Sequence, residues 1–492
     1  MTLPLADLLT ILPELLIVGA ACLLLVLDPV MPPAKKSLLA WMSLGTLVLC
    51  FFISASSMND RVFAFSDLVV VDPYASFWKL LLYLVSALTI LLSMTYLKEE
   101  RIDLAEYYGF ILLSLVGMMV MVSAADLLTI YLGIELMSIS LYIMVGFKRF
   151  EGKSIEASAK YFILGAFSSG ILLYGISLLY GIGGSTRLSE ISAVVTSRGG
   201  DDPLVLIALM LVIVGFGFKV AAVPFHMWTP DVYHGAPTSV TAFMAVASKA
   251  ASFGALLRVL LEGFGGVKPN WNGIIFAMCL VTLGFGNLVA IVQTNIKRML
   301  AYSSIAHAGY ALIGLVVAGQ AGAESAVASQ GVSSIMLYLA IYSFMTVGAF
   351  AIVAIVRRSG VEGEELEDFT GLAKRHKGAA FLMMVFMVSL AGIPPTAGFI
   401  GKFYLFMAAV NAGLTWLAVI GLIFAAVSAF YYLRVVMVMY MREPSASQES
   451  ETRLALTPAT AIVLACAIAG VVFLGLYPAP LVSVTQSAVL PF

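Results

Sequence analysis

The chain has 492 residues, of which 61% are hydrophobic and only 11% charged, and its mean hydropathy is +1.02. No soluble globular domain has this composition, so the sequence reads as an all-α polytopic membrane protein. A net charge of −1 and a pI near 6.4 give no reason to expect nucleic acid as a partner.

A spanning helix needs about 20 mostly apolar residues, and on that rule about fourteen transmembrane helices are predicted. They begin near Leu8, Leu38, Tyr74, Tyr108, Leu127, Ser158, Leu204, Thr238, Asn272, Met299, Ser333, Ala379, Leu414 and Pro458. The connections are short and leave no room for a separate soluble domain. Residues 1–27 lack a basic leader and carry Pro13 and Glu14 inside the apolar run, so they read as a retained first span and not a cleaved signal. The cysteines Cys22, Cys50, Cys279 and Cys466 lie far apart in apolar stretches and form no CxxC pair. They are read as packing residues, with no haem, iron–sulfur or zinc site expected.

Basic residues orient the spans. Loops after odd-numbered spans hold Lys35, Lys36, Lys98, Arg101, Lys148, Arg149, Lys153, Lys297, Arg298, Arg357, Arg358, Lys374, Arg375, Lys377, Arg442 and Arg453. Loops after even-numbered spans hold Arg61, Arg187, Arg198 and Lys268. The odd loops are therefore predicted to be cytoplasmic, and both termini to face outward, on the periplasmic side of a bacterial inner membrane.

Two apolar segments are overlong and interrupted by proline. Residues 204–232 contain Pro224 and Pro230, and residues 379–410 contain Pro394 and Pro395. Proline removes a backbone donor and clashes with the preceding turn, so each helix should break there. Freed backbone groups at membrane depth are tolerated only inside protein or against water. These are spans 7 and 12, five apart. A repeat of five spans has odd length, so its copies insert in opposite senses, an arrangement that points to a transport pathway. The chain then divides into three N-terminal spans (1–105), a first five-helix repeat (106–265), a second, inverted five-helix repeat (266–441) and a last span (442–492), each repeat holding a broken helix.

Ionisable groups deep in a bilayer are costly and usually functional. Glu135 lies near the middle of span 5, Lys219 just before the Pro224 break, Lys249 over ten residues into span 8, and Lys402 just after Pro394 and Pro395. Desolvation favours the neutral form of such a group, while a nearby opposite charge favours the charged form. Approach of Glu135 to Lys219 would hold both charges, and separation would favour proton release. The alternative is a static ion pair that fixes helix packing. Around Lys249, Thr238, Ser239, Thr241, Ser248 and Ser252 offer hydroxyls that could order water. His226 and His234 could relay protons towards Lys219, since histidine titrates near neutrality, or serve as structural hydrogen-bonding residues. Asp231 and His234 have the i,i+3 spacing of neighbours on a helical turn. His307 could relay between Lys249 and Lys402, or be a satisfied core histidine. Span 11 carries no charge, so a relay through it would need Tyr338, Tyr342, Ser343 or water. Lys79, Lys160 and Arg434, nearer span ends, are expected to snorkel, and Arg258 to pair with Glu262 near the membrane edge.

The stretch with Phe218, Lys219, Pro224, His226, Trp228, Pro230, Asp231, Tyr233, Gly235, Pro237 and Thr238 resembles the signature of the antiporter-like membrane subunits of complex I. So do residues 301–310, around His307, and residues 392–402, which end at Lys402. Cation/proton antiporter and membrane-bound hydrogenase subunits share the pattern. Lysine at 402 disfavours the paralogue that typically has glutamate there, and the length leaves no room for the long lateral helix of the largest paralogue. The resemblance is thus to the NADH-quinone oxidoreductase subunit N family. It implies proton translocation through Glu135, Lys219, Lys249 and Lys402, with other membrane-arm subunits as partners, including paralogous antiporter-like ones. It also implies that FMN, iron–sulfur clusters and quinone belong to other subunits. A sodium/proton antiporter subunit and a non-conducting scaffold are the competing readings. A sodium site would favour further mid-depth carboxylates, and a scaffold gives no reason for three deep lysines.

Overall fold

The computed structural model describes residues 5–32, 35–58, 60–102, 104, 106–320, 325–358, 361–443 and 452–490. Residues 1–4, at the head of the segment read as a first span, lie outside these, and Arg358 and Arg453 of the odd loops are described in backbone only. Eleven helices among the described residues are long and apolar enough to cross a membrane. The shorter Leu12–Leu27 and two broken helices bring the spans to the expected fourteen.

Spans 1 to 3 are Leu12–Leu27, Ser37–Ser56 and Pro73–Glu99. Spans 4 to 6 are Glu106–Ser123, Leu127–Val145 and Gly152–Gly183. Span 7 is Pro203–Lys219 followed, after a break, by Thr229–Gly235. Spans 8 to 11 are Thr238–Gly263, Gly265–Ile291, Ile296–Ala318 and Ser325–Ile355. Span 12 is Lys377–Ala391 and Ala397–Asn411, and spans 13 and 14 are Thr415–Met441 and Pro458–Leu476. Spans 6 and 11 begin at Gly152 and Ser325, well before the predicted Ser158 and Ser333. Span 6 opens with charged and polar residues and span 11 with small residues followed by Ser329 and Gln330, and hydropathy alone sees only the more apolar stretch behind them.

Small elements finish the loops. A hairpin joins β1 (Val62–Ala64) to β2 (Val69–Val71) between spans 2 and 3. After span 11, β3 (Val356–Arg358) pairs with β4 (Val361–Glu362) and with β5 (Thr452–Leu454). The helices Leu188–Arg198 and Ala479–Ser487 were not predicted, being too short and too polar for a hydropathy window.

The packing repeats. Span 4 lies along span 5 as span 9 lies along span 10, and span 6 touches both halves of span 7 as span 11 touches both halves of span 12. The first pairs approach too closely for side chains. A Cβ on Gly117 would stand 2.5 Å from Met137 N, and one on Gly286 would stand 2.6 Å from Ala306 N. Small residues at such seams let backbones meet where no hydrophobic force drives helices together. Spans 8, 10 and 11 are almost wholly covered by neighbours, whereas spans 2, 6, 13 and 14 keep much of their surface free. The titratable interior therefore sits at the junction of the two five-span groups.

The two breaks are built alike. The first half of span 7 ends with Ala221 at φ 60° and that of span 12 with Gly392 at φ 86°, each three residues before a cis proline, Pro224 and Pro395. Ala222 N donates to Gly217 O at 2.9 Å and Ile393 N to Val388 O at 3.2 Å. This six-to-one bond, with a left-handed residue beneath it, is a Schellman ending at both sites. Further on, Phe225 N donates to Ala222 O at 2.7 Å and Thr396 N to Ile393 O at 3.3 Å.

Candidate functional site

Backbone groups freed by the breaks find partners inside the protein, as the membrane requires. Val223 N donates to Thr282 Oγ1 of span 9 at 2.9 Å, and Trp228 Nε1 to Phe218 O at 3.0 Å. In span 12, Lys402 Nζ donates to Leu390 O at 3.0 Å and to Ala391 O at 2.8 Å. A cation there complements the negative end of the first half-helix.

The three deep lysines are all buried, and neutral oxygens accept their hydrogen bonds. Lys219 Nζ donates to Ser138 Oγ at 2.8 Å. Ser138 lies one turn beyond Glu135 on span 5, and its role was not anticipated. Glu135 is half-buried, and no ion pair of 4 Å or less joins it to Lys219 among the described residues. Its Oε1 is buried without a hydrogen-bond partner. Lys249 Nζ donates to Ser304 Oγ at 2.6 Å and also to the Ser304 carbonyl. A π-helical turn, Met244–Ser248, immediately precedes Lys249. Such turns recur at functional sites because they re-aim the side chains that follow.

Between Lys249 and Lys402 the interior is aromatic and hydroxylic. Lys249 Nζ stands 5.9 Å from the centre of the Tyr342 ring, which lies 4.7 Å from that of His307. His307 Nδ1 is 2.5 Å from Tyr338 OH, and its Nε2 is 3.1 Å from Tyr432 OH. Tyr310 stands 5.9 Å from His307 ring to ring, and Lys402 Nζ lies 4.8 Å from the Tyr310 ring centre. Lys249, His307, Tyr338, Tyr342 and Lys402 thus share one region. Tyr310 and Tyr432 join them without having been singled out. Tyr432 comes from span 13, and nothing in its local sequence announces a partner so far along the chain.

Other residues stand elsewhere. His226 is buried in the span 7 break with its ring 4.5 Å from Phe285 of span 9. Asp231 and His234 do not pair on their turn. Asp231 binds Lys160 at 2.9 Å and Arg298 at 2.8 Å, while His234 Nε2 lies 3.4 Å from Glu364 Oε2. Cations on spans 6 and 10 outcompete the local neighbour. Burial opposes the Glu364 carboxylate, but His234 and Lys297 outweigh it and hold its pKa below the usual carboxylate range. Burial likewise opposes the Lys148 charge, and Glu362 and Glu100 raise its pKa above the usual lysine value.

One expectation of snorkelling is corrected. Lys79 is buried and pairs with Glu14 of span 1 at 2.6 Å. Arg434 donates to the Ile291 carbonyl at 2.7 Å, capping the end of span 9. Arg258 keeps Glu262 at 3.1 Å, but it is buried and holds Asp72 at 2.9 Å as well. Cys50 and Cys279 are buried and donate to the Pro13 and Gly309 carbonyls, in keeping with packing. No group of three or more potential metal ligands occurs among the described residues.

Residues 124–428 match the family model described as NADH:quinone oxidoreductase/Mrp antiporter, TM. NADH-quinone oxidoreductase subunit N 2 of Rhizobium meliloti (strain 1021) is 45% identical over 476 residues, covering 97% of this chain and 96% of that protein. The chain belongs to the NADH-quinone oxidoreductase subunit N family. Subunit N of Trichlorobacter lovleyi is also 45% identical, over 480 residues and with 97% and 96% coverage. Among solved structures, a chain of respiratory complex I from Thermus thermophilus with bound Aureothin is 32% identical, with a TM-score of 0.79 and coverage of 96% of this chain and 98% of that one. A chain of the Mrp complex from Dietzia sp. shares the fold at a TM-score of 0.81 and 20% identity, covering 99% of this chain and 97% of that one.

Proposed function

We propose that this chain is the proton-translocating subunit N of a respiratory NADH:quinone oxidoreductase, set in a bacterial inner membrane with both termini on the periplasmic side. Electron transfer from NADH to quinone takes place in other subunits, which carry the FMN and the iron–sulfur clusters. This chain contributes to proton pumping beside paralogous membrane-arm subunits. Its units are three N-terminal spans (1–105), two inverted repeats (106–265 and 266–441) and a last span (442–492). The alike breaks of spans 7 and 12 support that division.

The observation that carries the reading is that Lys219, Lys249 and Lys402 are buried with neutral hydroxyls and carbonyls as hydrogen-bond acceptors. An amine held this way gives up or takes a proton without breaking an ion pair. A scaffold would be expected to pair them, as Lys79 is paired with Glu14. Glu135, with one oxygen unpartnered, is the carboxylate whose approach would hold the charge on Lys219. Lys249 and Lys402 exchange protons by way of Tyr342, His307, Tyr338, Tyr310 and intervening water. The test is the purified chain alone in liposomes. No sodium exchange is expected, because the energy comes from the whole complex. Gradient-driven sodium exchange would replace this reading with that of an antiporter.

A further inference from the structure

The ends of the spans joined by odd-numbered loops wall an open cavity of about 500 Å³ lined mostly by charged residues. Its walls include Lys148, His234, Lys297, Glu362 and Glu364. Glu364 is neutralised there, with Lys297 at 3.2 Å and Lys153 at 3.8 Å. Glu362 stands beside Lys148, whose charge it supports, and opposite Arg357 of β3. It lies on β4, is only 8% exposed, and accepts hydrogen bonds from Tyr96 OH at 2.9 Å and from the Thr238 hydroxyl. Thr238 is the first residue of span 8, and Lys249 lies about 16 Å further along the same helix axis.

The ground between them is hydroxylic. Ser239 meets Tyr107 OH at 2.7 Å, and Thr241 donates to the Tyr233 carbonyl at 3.1 Å. At the far end of this ground Ser304 holds Lys249. A buried carboxylate therefore faces a cavity able to hold several waters on one side and the start of the lysine-bearing span on the other.

We propose that Glu362 is the proton-uptake residue of this chain, passing protons from the odd-loop cavity through Thr238 towards Lys249. This rests on the proton-translocation reading. A hydronium in the cavity gives its proton to a Glu362 carboxylate oxygen and remains as water. The Thr238 hydroxyl, which donates to the carboxylate, turns towards the Lys249 side once Glu362 is protonated, and its oxygen takes the Glu362 proton while its own hydrogen passes to water there. The transfer ends with a new N–H bond on a neutral Lys249 amine, and Glu362 is again a carboxylate. No electron moves.

The test uses the assembled complex in sealed inverted vesicles, with proton uptake and NADH:quinone turnover recorded together. Glu362→Gln keeps the size and one acceptor oxygen but does not titrate, and the hydroxyl of Tyr96 or Thr238 that loses its acceptor can turn to accept from the new amide. It is expected to assemble, to lose proton yield per NADH several-fold, and to regain part of it when formate, a small weak acid that fits the cavity, is added. Wild type in the same formate medium is the reference. Undiminished yield in an assembled variant overturns the proposal, and so does a loss that formate leaves unchanged, since a purely structural carboxylate would behave that way. If Glu362→Gln fails to assemble, Thr238→Val decides: loss of yield supports the route, and wild-type yield removes it. Lys249→Met run alongside separates the two levels. Wild-type yield in that variant sinks the translocation reading, whereas loss there with normal Glu362→Gln sinks only the uptake residue.

Discussion

Each buried lysine is defined by what accepts its hydrogen bonds. Lys402 has a double task, since the same ammonium that would carry a proton also caps the Leu390 and Ala391 carbonyls. Lys402→Met should leave those carbonyls unpaired, at about 1–3 kcal/mol, and lower the thermal stability of the subunit within the complex. Lys402→Arg should retain much of the capping. The Lys79–Glu14 pair gives a contrasting case. Removing one partner of a buried pair costs about 3–5 kcal/mol, whereas replacing both with apolar residues is often neutral. Glu14→Gln should therefore impair assembly more than Glu14→Leu combined with Lys79→Met, as judged by the yield of intact complex. The lysines and His307 were legible because isolated ionisable residues stand out in apolar segments. Ser138, Thr282 and Tyr432 were not, because a hydroxyl in a span commonly bonds its own backbone, as Ser248 and Ser252 do here. Only the packing of distant spans gives the others a task. The same reason hid the Glu14 partner of Lys79.

At the scale of the element, the two broken helices were readable from proline and excess length, but their shared ending was not. It depends on the left-handed residue, which is alanine in one break and glycine in the other. A non-glycine residue there costs roughly 1–2 kcal/mol. Ala221→Gly should therefore be neutral or stabilising. Gly392→Ala should destabilise, because it adds that strain and sets a Cβ 2.8 Å from Lys402 Cδ. Gly398→Ala should be worse still, with its Cβ 1.7 Å from the Ser389 carbonyl oxygen. Gly378→Ala, with nothing within 4 Å, is the control. Melting of the purified complex, followed for each variant, ranks the four. The π-helical turn before Lys249 and the β3–β4–β5 sheet escaped prediction because they are tertiary adjustments of short segments with no periodic signature.

For the whole molecule, hydropathy gave the number of spans and loop charge their expected orientation, and the structure adds that the odd loops share a face. Residues from the loops after spans 3, 5, 7, 9 and 11 wall one cavity there. Cysteine labelling should find the loop of residues 374–377 protected from outside reagents, and labelling from outside would reverse the assigned orientation. The central claim is that the buried lysines work by titrating. Arginine remains protonated in proteins, so Lys219→Arg preserves a positive charge and a donor to Ser138 while blocking proton release. The direct measurement is proton yield per NADH in sealed vesicles holding the assembled Lys219→Arg complex, with quinone reduction recorded in the same preparation. The account predicts normal assembly and loss of most of the proton yield. A wild-type yield in a well-assembled variant would contradict it and leave Lys219 as a structural charge.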